Sequence, residues 1–184
     1  CDIVGNDTKG FDEAVSIAKK SDVVIVVVGE AAEMSGEAAS RSSLTLPGKQ
    51  EKFVEAIQAT GTPVVVVLMN GRPLAVTWIA EHVSAIVEAW FLGVQSGNAI
   101  ADVLFGEYTP SGKLPVTFPR TVGQVPYYYN YKNTGRPMDE KQKYNSKYID
   151  ISNTPLFPFG YPLSYTTFEY SSPRLSASKI RKTE

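Results

Sequence analysis

At 184 residues, 43% hydrophobic and 20% charged, the chain has the size and make-up of one globular domain able to bury a core. A formal net charge of −1 gives no electrostatic footprint for nucleic acid or an anionic membrane surface. One cysteine, Cys1, and one histidine, His82, exclude an internal disulfide and argue against thiolate or paired-histidine metal sites, so no metal and no cofactor is expected. No run approaches the roughly 20 apolar residues of a membrane span. The chain starts at a cysteine with no secretory leader pattern, so an upstream segment is expected to be missing.

In chain order, residues 2–8 are polar, with Asp7 and Thr8 as candidate caps. Phe11, Ala14, Val15, Ile17 and Ala18 recur at helical spacing and predict a first helix, with Lys19 and Lys20 in its last turn. The run Val23 to Val28 is short, β-branched and apolar at every position. It predicts a strand buried on both faces, as in a parallel sheet. A loop from Gly29 to Gly48 follows, carrying Glu30, Glu33, Glu37 and Arg41. A loop of that length inside a compact domain is more often functional than idle. Ligands of open α/β sheets gather beyond the carboxyl ends of the strands, where this loop sits.

Pro47 and Gly48 lead into a second helix with Phe53, Val54 and Ile57 as its apolar stripe, stopped at Thr60-Gly61. Val64 to Met69 is a second buried strand, and Asn70-Gly71 a tight turn at its end. A third helix is predicted over Pro73 to Glu81, a third strand over Ala85 to Trp90, and a fourth helix from Ser96, read as its cap, to Leu104. Leu114 to Phe118 alternates between prolines and predicts an edge strand. The repeated strand–helix pattern predicts a three-layer α/β/α sandwich with a mostly parallel, flavodoxin-like sheet. A long aromatic-rich extension follows, with tyrosines at 127, 128, 129 and 131, a turn at residues 133–137, and Phe157, Phe159 and Tyr161, expected to wrap over the sheet domain.

Several chemistries were weighed on these residues. Glycoside hydrolysis needs one carboxylic acid to protonate the leaving oxygen and a second carboxylate across the bond. Glu37, between Gly36 and Ala38-Ala39, is a candidate, although most loop glutamates are simply solvated. Gly93-Val94-Gln95-Ser96-Gly97 has its serine displaced by one from a nucleophile elbow. Gly29-Glu30-Ala31 lacks the glycines of a phosphate-binding loop and carries the wrong charge. The tyrosine cluster fits sugar stacking and core packing equally, whereas Trp90 reads as packing.

The ordered motifs SDVVIVVVGE, SGEAASRSSLTLPGKQ, VVVVLMNGRPL, EAWFLGVQSGNAIADVLFGEYTPSGKLPVTFPR, YYYNYKNTGRP and PLFPFGYPLSYTTF resemble the second domain of glycoside hydrolase family 3, bacterial periplasmic-type β-glucosidases above all. The likeness runs from about Phe11 to Phe168. It implies a sandwich domain over residues 1–168, shortened at its N-terminus, with 169–184 as the start of a fibronectin-type β domain or a tail. It implies a retaining exo-acting β-glycosidase acting on a β-linked oligosaccharide or glucoside. A missing N-terminal (β/α)8 barrel would supply the aspartate nucleophile, and this domain the general acid/base. That glutamate matches Glu37, with Glu33 as the fallback, Met34 and Arg41 as candidate substrate contacts, and Glu30 as structural. Family likeness further implies a periplasmic or extracellular location and an inactive isolated domain. Competing readings are a non-catalytic carbohydrate-binding or scaffold module and a nucleotide-binding flavodoxin-like domain.

Overall fold

The computed structural model describes residues 3–133, 135–161, 163–179 and 181–182. Cys1, Asp2 of the polar 2–8 segment, Thr134 within the expected 133–137 turn, Pro162, and Ile180, Thr183 and Glu184 of the tail lie outside the described residues.

The three apolar runs pair as a parallel sheet in the order β1 (Val24–Gly29), β2 (Val64–Met69), β3 (Ala85–Glu88). Val24 lies opposite Val64, and Val65 opposite Ala85. Helix α1 (Phe11–Ala18) precedes the sheet, α2 (Gln50–Gln58) and α3 (Thr77–His82) make the two crossovers, and α4 (Ser96–Leu104) follows β3. Each crossover steps one strand in the same direction, so right-handed connections place α2 and α3 on the same face. There Val26, Val28, Val64, Val66 and Leu68 pack with Ala18, Val54, Ile57 and Ile79 in one core. This is the α/β sandwich that the strand–helix repeat predicts.

Helix α2 shows how the sequence builds that core. Val54 and Ile57 are three residues apart, hence on one face, and both are fully buried. Removing each side chain from water contributes roughly 2 kcal/mol. The helix stops where the Thr60 hydroxyl donates to the Ile57 carbonyl at 2.7 Å and Gly61 turns left-handed at φ 81°.

Gln50, the first residue of α2, does a different job. β1 is an edge strand among the described residues, which leaves the backbone of Gly29 unpaired on one side. The buried Gln50 amide fills that edge: its Oε1 accepts from Gly29 N–H at 2.7 Å and its Nε2 donates to the Gly29 carbonyl at 2.7 Å. The carboxyl end of β1, from which the long loop departs, is therefore held on both sides.

Several expectations are corrected. β1 is not buried on both faces: Ile25 is 43% exposed and Val27 58%, and both alternate with buried Val26 and Val28, so only the face turned to the core is covered. The cap of α1 is Gly10, in the left-handed region at φ 91°, and Asp7 instead accepts from Lys9 N–H within its own turn. Lys19 and Lys20 fall just beyond α1. Helix α3 begins at Thr77, not Pro73; Leu74 and Val76 are fully buried in irregular chain ahead of it, and both belong to the core. β3 ends at Glu88, because Trp90 adopts φ 55°. Gln95, not Ser96, occupies the cap position of α4, and its side chain makes no cap bond.

The predicted edge strand at 114–118 is reduced to a single antiparallel bridge between Phe118 and Phe157. Leu114 and Phe118 still exchange backbone hydrogen bonds with the 156–161 segment, at Gly160 N–H to Leu114 O (2.7 Å) and Phe118 N–H to Phe157 O (2.8 Å). The aromatic extension thus does fold back: Phe118 is buried against Trp90 and Phe157, and Leu156 packs on the main core. The described residues from 169 onward carry no helix or strand and are exposed.

Candidate active site

The carboxyl ends of β1 and β2 converge on Glu30, whose side chain is fully buried. Burial of a carboxylate demands partners, and it has three. Arg41 Nη1 approaches Oε1 at 2.6 Å, Arg72 Nε lies 3.0 Å from Oε1 and 3.3 Å from Oε2, and Gly71 N–H donates to Oε2 at 3.2 Å. One anion between two guanidinium groups ties the start of the long loop to its own far end at Arg41 and to the β2–α3 turn. Glu30 is the structural carboxylate of the loop, as expected.

Beyond Glu30 a short 3-10 turn (Ala32–Met34) leads into the segment that carries Glu37. Ala39 N–H closes a four-residue turn on the Gly36 carbonyl at 3.3 Å. Glu37 stands second in that turn and Ala38 third, at φ 59°; Gly36 itself has φ 121°. A positive φ in the third position is what a type II turn requires and what an alanine resists, at about 1 kcal/mol or more. The turn lifts Glu37 clear of the sheet, with its side chain exposed.

The sequence candidates divide accordingly. Glu37 and Glu33 are both exposed on this loop, and Met34 is half-buried beneath them. Arg41, singled out as a substrate contact or a tuner of a carboxylate, meets Glu30 and donates a second bond to the Thr45 carbonyl at 2.9 Å. His82 is exposed and stacks on Trp78, with ring centroids 4.3 Å apart. No cluster of metal-ligating side chains occurs among the described residues. Among the described residues, no helix is long and apolar enough to cross a membrane.

Sequence reading missed Arg72, whose Nη2 donates to the Met34 carbonyl and, at 3.0 Å, to the Ala39 carbonyl. The available signal was its place directly after Asn70-Gly71, at the end of a buried strand. Also missed was Glu88, at the end of β3. Its carboxylate accepts from Trp90 N–H at 3.0 Å and from the Asn70 amide at 3.4 Å. Burial outweighs these bonds and pushes the Glu88 carboxyl up from 4.5 to about 7.

That shift has a sign. A raised folded value means the folded chain holds the extra proton, so the contribution is fully present below pH 4.5 and fades as pH rises to about 7. Glu88→Gln, which stays neutral, is expected to flatten the stability profile across that window and to leave the variant more stable than wild type above it, by less than the full shift because its NH2 faces one of the two N–H donors. Denaturant midpoints of both proteins at pH 5 and pH 8 check this, and parallel profiles would refute it.

The tyrosine segment is held at Tyr127 and Tyr129 and exposed at Tyr128 and Tyr131. Tyr127 donates its hydroxyl to the Asn153 carbonyl at 2.6 Å and Tyr129 stacks on Phe159 at 4.7 Å. Tyr128 and Tyr131 are exposed and, with Tyr127 and Tyr148, line a cleft of about 730 Å³.

Comparison with known proteins bears on this geometry. The model of the glycosyl hydrolase family 3 C-terminal domain matches residues 4–165. A periplasmic β-glucosidase of Salmonella typhimurium is 54% identical over 94% of the chain, and a β-xylosidase of Formosa agariphila is 48% identical over 98%. The chain spans 23% and 24% of the lengths of these two curated relatives. The crystal structure of a β-glucosidase from Listeria innocua in complex with gluconolactone superposes with a TM-score of 0.85 at 42% identity, covering 89% of this chain and 23% of that one.

Proposed function

The chain belongs to glycosyl hydrolase family 3, whose C-terminal domain it forms, and from that premise we propose that it is the acid/base-bearing domain of a retaining exo-β-glycosidase acting on β-glucosides or similar terminal β-linked sugars. Glu37 is the general acid/base in this reading. The observation that carries it is the placement of Glu37 on a strained turn beyond the carboxyl ends of the strands, exposed to whatever docks there. Strained backbone persists where the surroundings over-determine it, and active sites are where it clusters. Glu30 is unsuited to the role, since both its oxygens are already committed to arginines and a backbone N–H.

Chemically, Glu37 protonates the glycosidic oxygen while a carboxylate from an N-terminal barrel attacks the anomeric carbon. The leaving alcohol departs protonated and a glycosyl ester remains. Glu37, now a carboxylate, takes a proton from water, which releases the sugar and restores the acid. Retention sets the two carboxyls about 5–5.5 Å apart. This chain provides one of the pair, so on its own it turns over no glycoside. The substrate reaches it in the periplasm or outside the cell, in line with the Salmonella relative.

The test is Glu37→Gln in the full-length enzyme, with Glu33→Gln beside it. With an aryl glucoside of poor leaving ability, Glu37→Gln is expected to lose about 10²–10⁴-fold in kcat/KM; with a dinitrophenyl glucoside, where breakdown of the glycosyl ester limits turnover, azide is expected to raise kcat because it attacks that ester without a base. Glu33→Gln should stay near wild type. Unchanged turnover in Glu37→Gln would remove it from the role, and a loss confined to Glu33→Gln would transfer the role there.

A further inference from the structure

The turn after β2 meets the acid loop at Glu30, Met34, Ser35 and Ala39. Arg72 Nη2 donates to the Met34 and Ala39 carbonyls, one on each side of the segment 35–38. Its Nε is meanwhile fixed by Glu30, so the guanidinium is not free to swing. Directly before it, Gly71 lets the turn approach closely: a Cβ there would fall 2.2 Å from Ser35 Oγ and 2.7 Å from Ser35 Cβ. The turn is itself locked, because the buried Asn70 amide donates to the Arg72 carbonyl at 2.9 Å.

We propose that Gly71 and Arg72 are positioning residues for the acid/base, setting where Glu37 stands by gripping both flanks of its turn. The inference rests on the reading of Glu37 as the acid/base. Neither residue touches the substrate. One planar guanidinium reaches two carbonyls and a carboxylate at once, and an ammonium group has neither the fork nor the reach for all three. Exposed side chains on a loop are otherwise mobile, and a proton donor displaced by about 1 Å can cost about 10²-fold in rate.

Leaving-group dependence separates positioning from mere stability. Proton donation matters for a poor leaving group such as an alkyl glucoside and hardly at all for a dinitrophenyl glucoside. In the full-length enzyme, Arg72→Met is expected to lose about 10²-fold in kcat/KM on the alkyl substrate and under about tenfold on the dinitrophenyl one. Arg72→Lys keeps a cation for Glu30 and guards against a folding failure; it should show the same skew at about tenfold. Gly71→Ala, which pushes on Ser35, should skew the same way. Equal losses on both substrates, or none, in Arg72→Lys and Gly71→Ala would overturn the proposal. Glu37→Gln is run in parallel. If it shows the skew and the turn variants do not, positioning alone is wrong. If it lacks the skew, the acid/base reading is wrong and the proposal falls with it.

Discussion

Glu30→Ala is expected to destabilise the domain by about 3–5 kcal/mol, the range found when one member of a buried ion network is removed. The cause is not the loss of attraction alone. Arg41 and Arg72 are only 18% and 19% exposed, and each would keep its charge with no anion to face. Gly71 N–H would lose its acceptor as well. Glu30→Gln keeps the shape and one acceptor oxygen but not the charge, so it should fall between wild type and alanine. Urea unfolding of the three proteins measures this. A difference under about 1 kcal/mol between wild type and Glu30→Ala would mean that water reaches the arginines and that the network is worth no more than a surface pair. Arg72 also holds the Glu37 turn, so on the proposed role of Glu37 the same substitution in the full-length enzyme should lower activity on poor leaving groups before it unfolds the protein.

This network marks the limit of what the residues alone disclosed. The β-branched runs made their strands plain, since six apolar residues in a row have few other uses. Helix α2 is legible from its apolar stripe and its stop at Thr60-Gly61. What periodicity could not give was the neighbour of each face. Val27 and Val67 look alike in sequence and pair with each other in register, yet one is 58% exposed and the other fully buried. That difference is set by what covers each strand on that face, which periodicity does not carry. Pro73 is a good first-turn residue and places the start of α3 too early; tertiary burial of Leu74 and Val76 overrides that local preference.

The candidate site was legible in its exposed part and hidden in its buried part. Glu37 was reached through a run of motifs, and Glu30 through its place at the strand end. Arg41 was read as a partner for a carboxylate, but four residues of separation said nothing about which one. Spacing in a loop carries no geometric rule comparable to helical i, i+4. Arg72 lies 35 positions from Glu37 and joins its turn only through the parallel pairing of β1 with β2. Contacts of that kind belong to topology, and no local pattern announces them.

Gly29→Ala, at the root of the same loop, is expected to be the most damaging single-atom change in the domain. The added Cβ would lie 1.8 Å from the Met69 carbonyl oxygen and 2.5 Å from its carbon, with φ at 152°. Both are backbone atoms of β2, so no rotamer change relieves the overlap; β1 and β2 must part. The bond from Glu30 N–H to Met69 O (2.9 Å) and the two Gln50 bonds to Gly29 would strain with them. A loss of at least about 4 kcal/mol is expected, or failure to accumulate as soluble protein. Gly36→Ala supplies the comparison: it too has a positive φ, 121°, but nothing stands within 4 Å of its Cβ. It should cost only the backbone strain, about 1–2 kcal/mol. Equal penalties in the two variants would show that the dihedral alone matters and that the close approach of β1 to β2 at Gly29 is not what anchors the long loop.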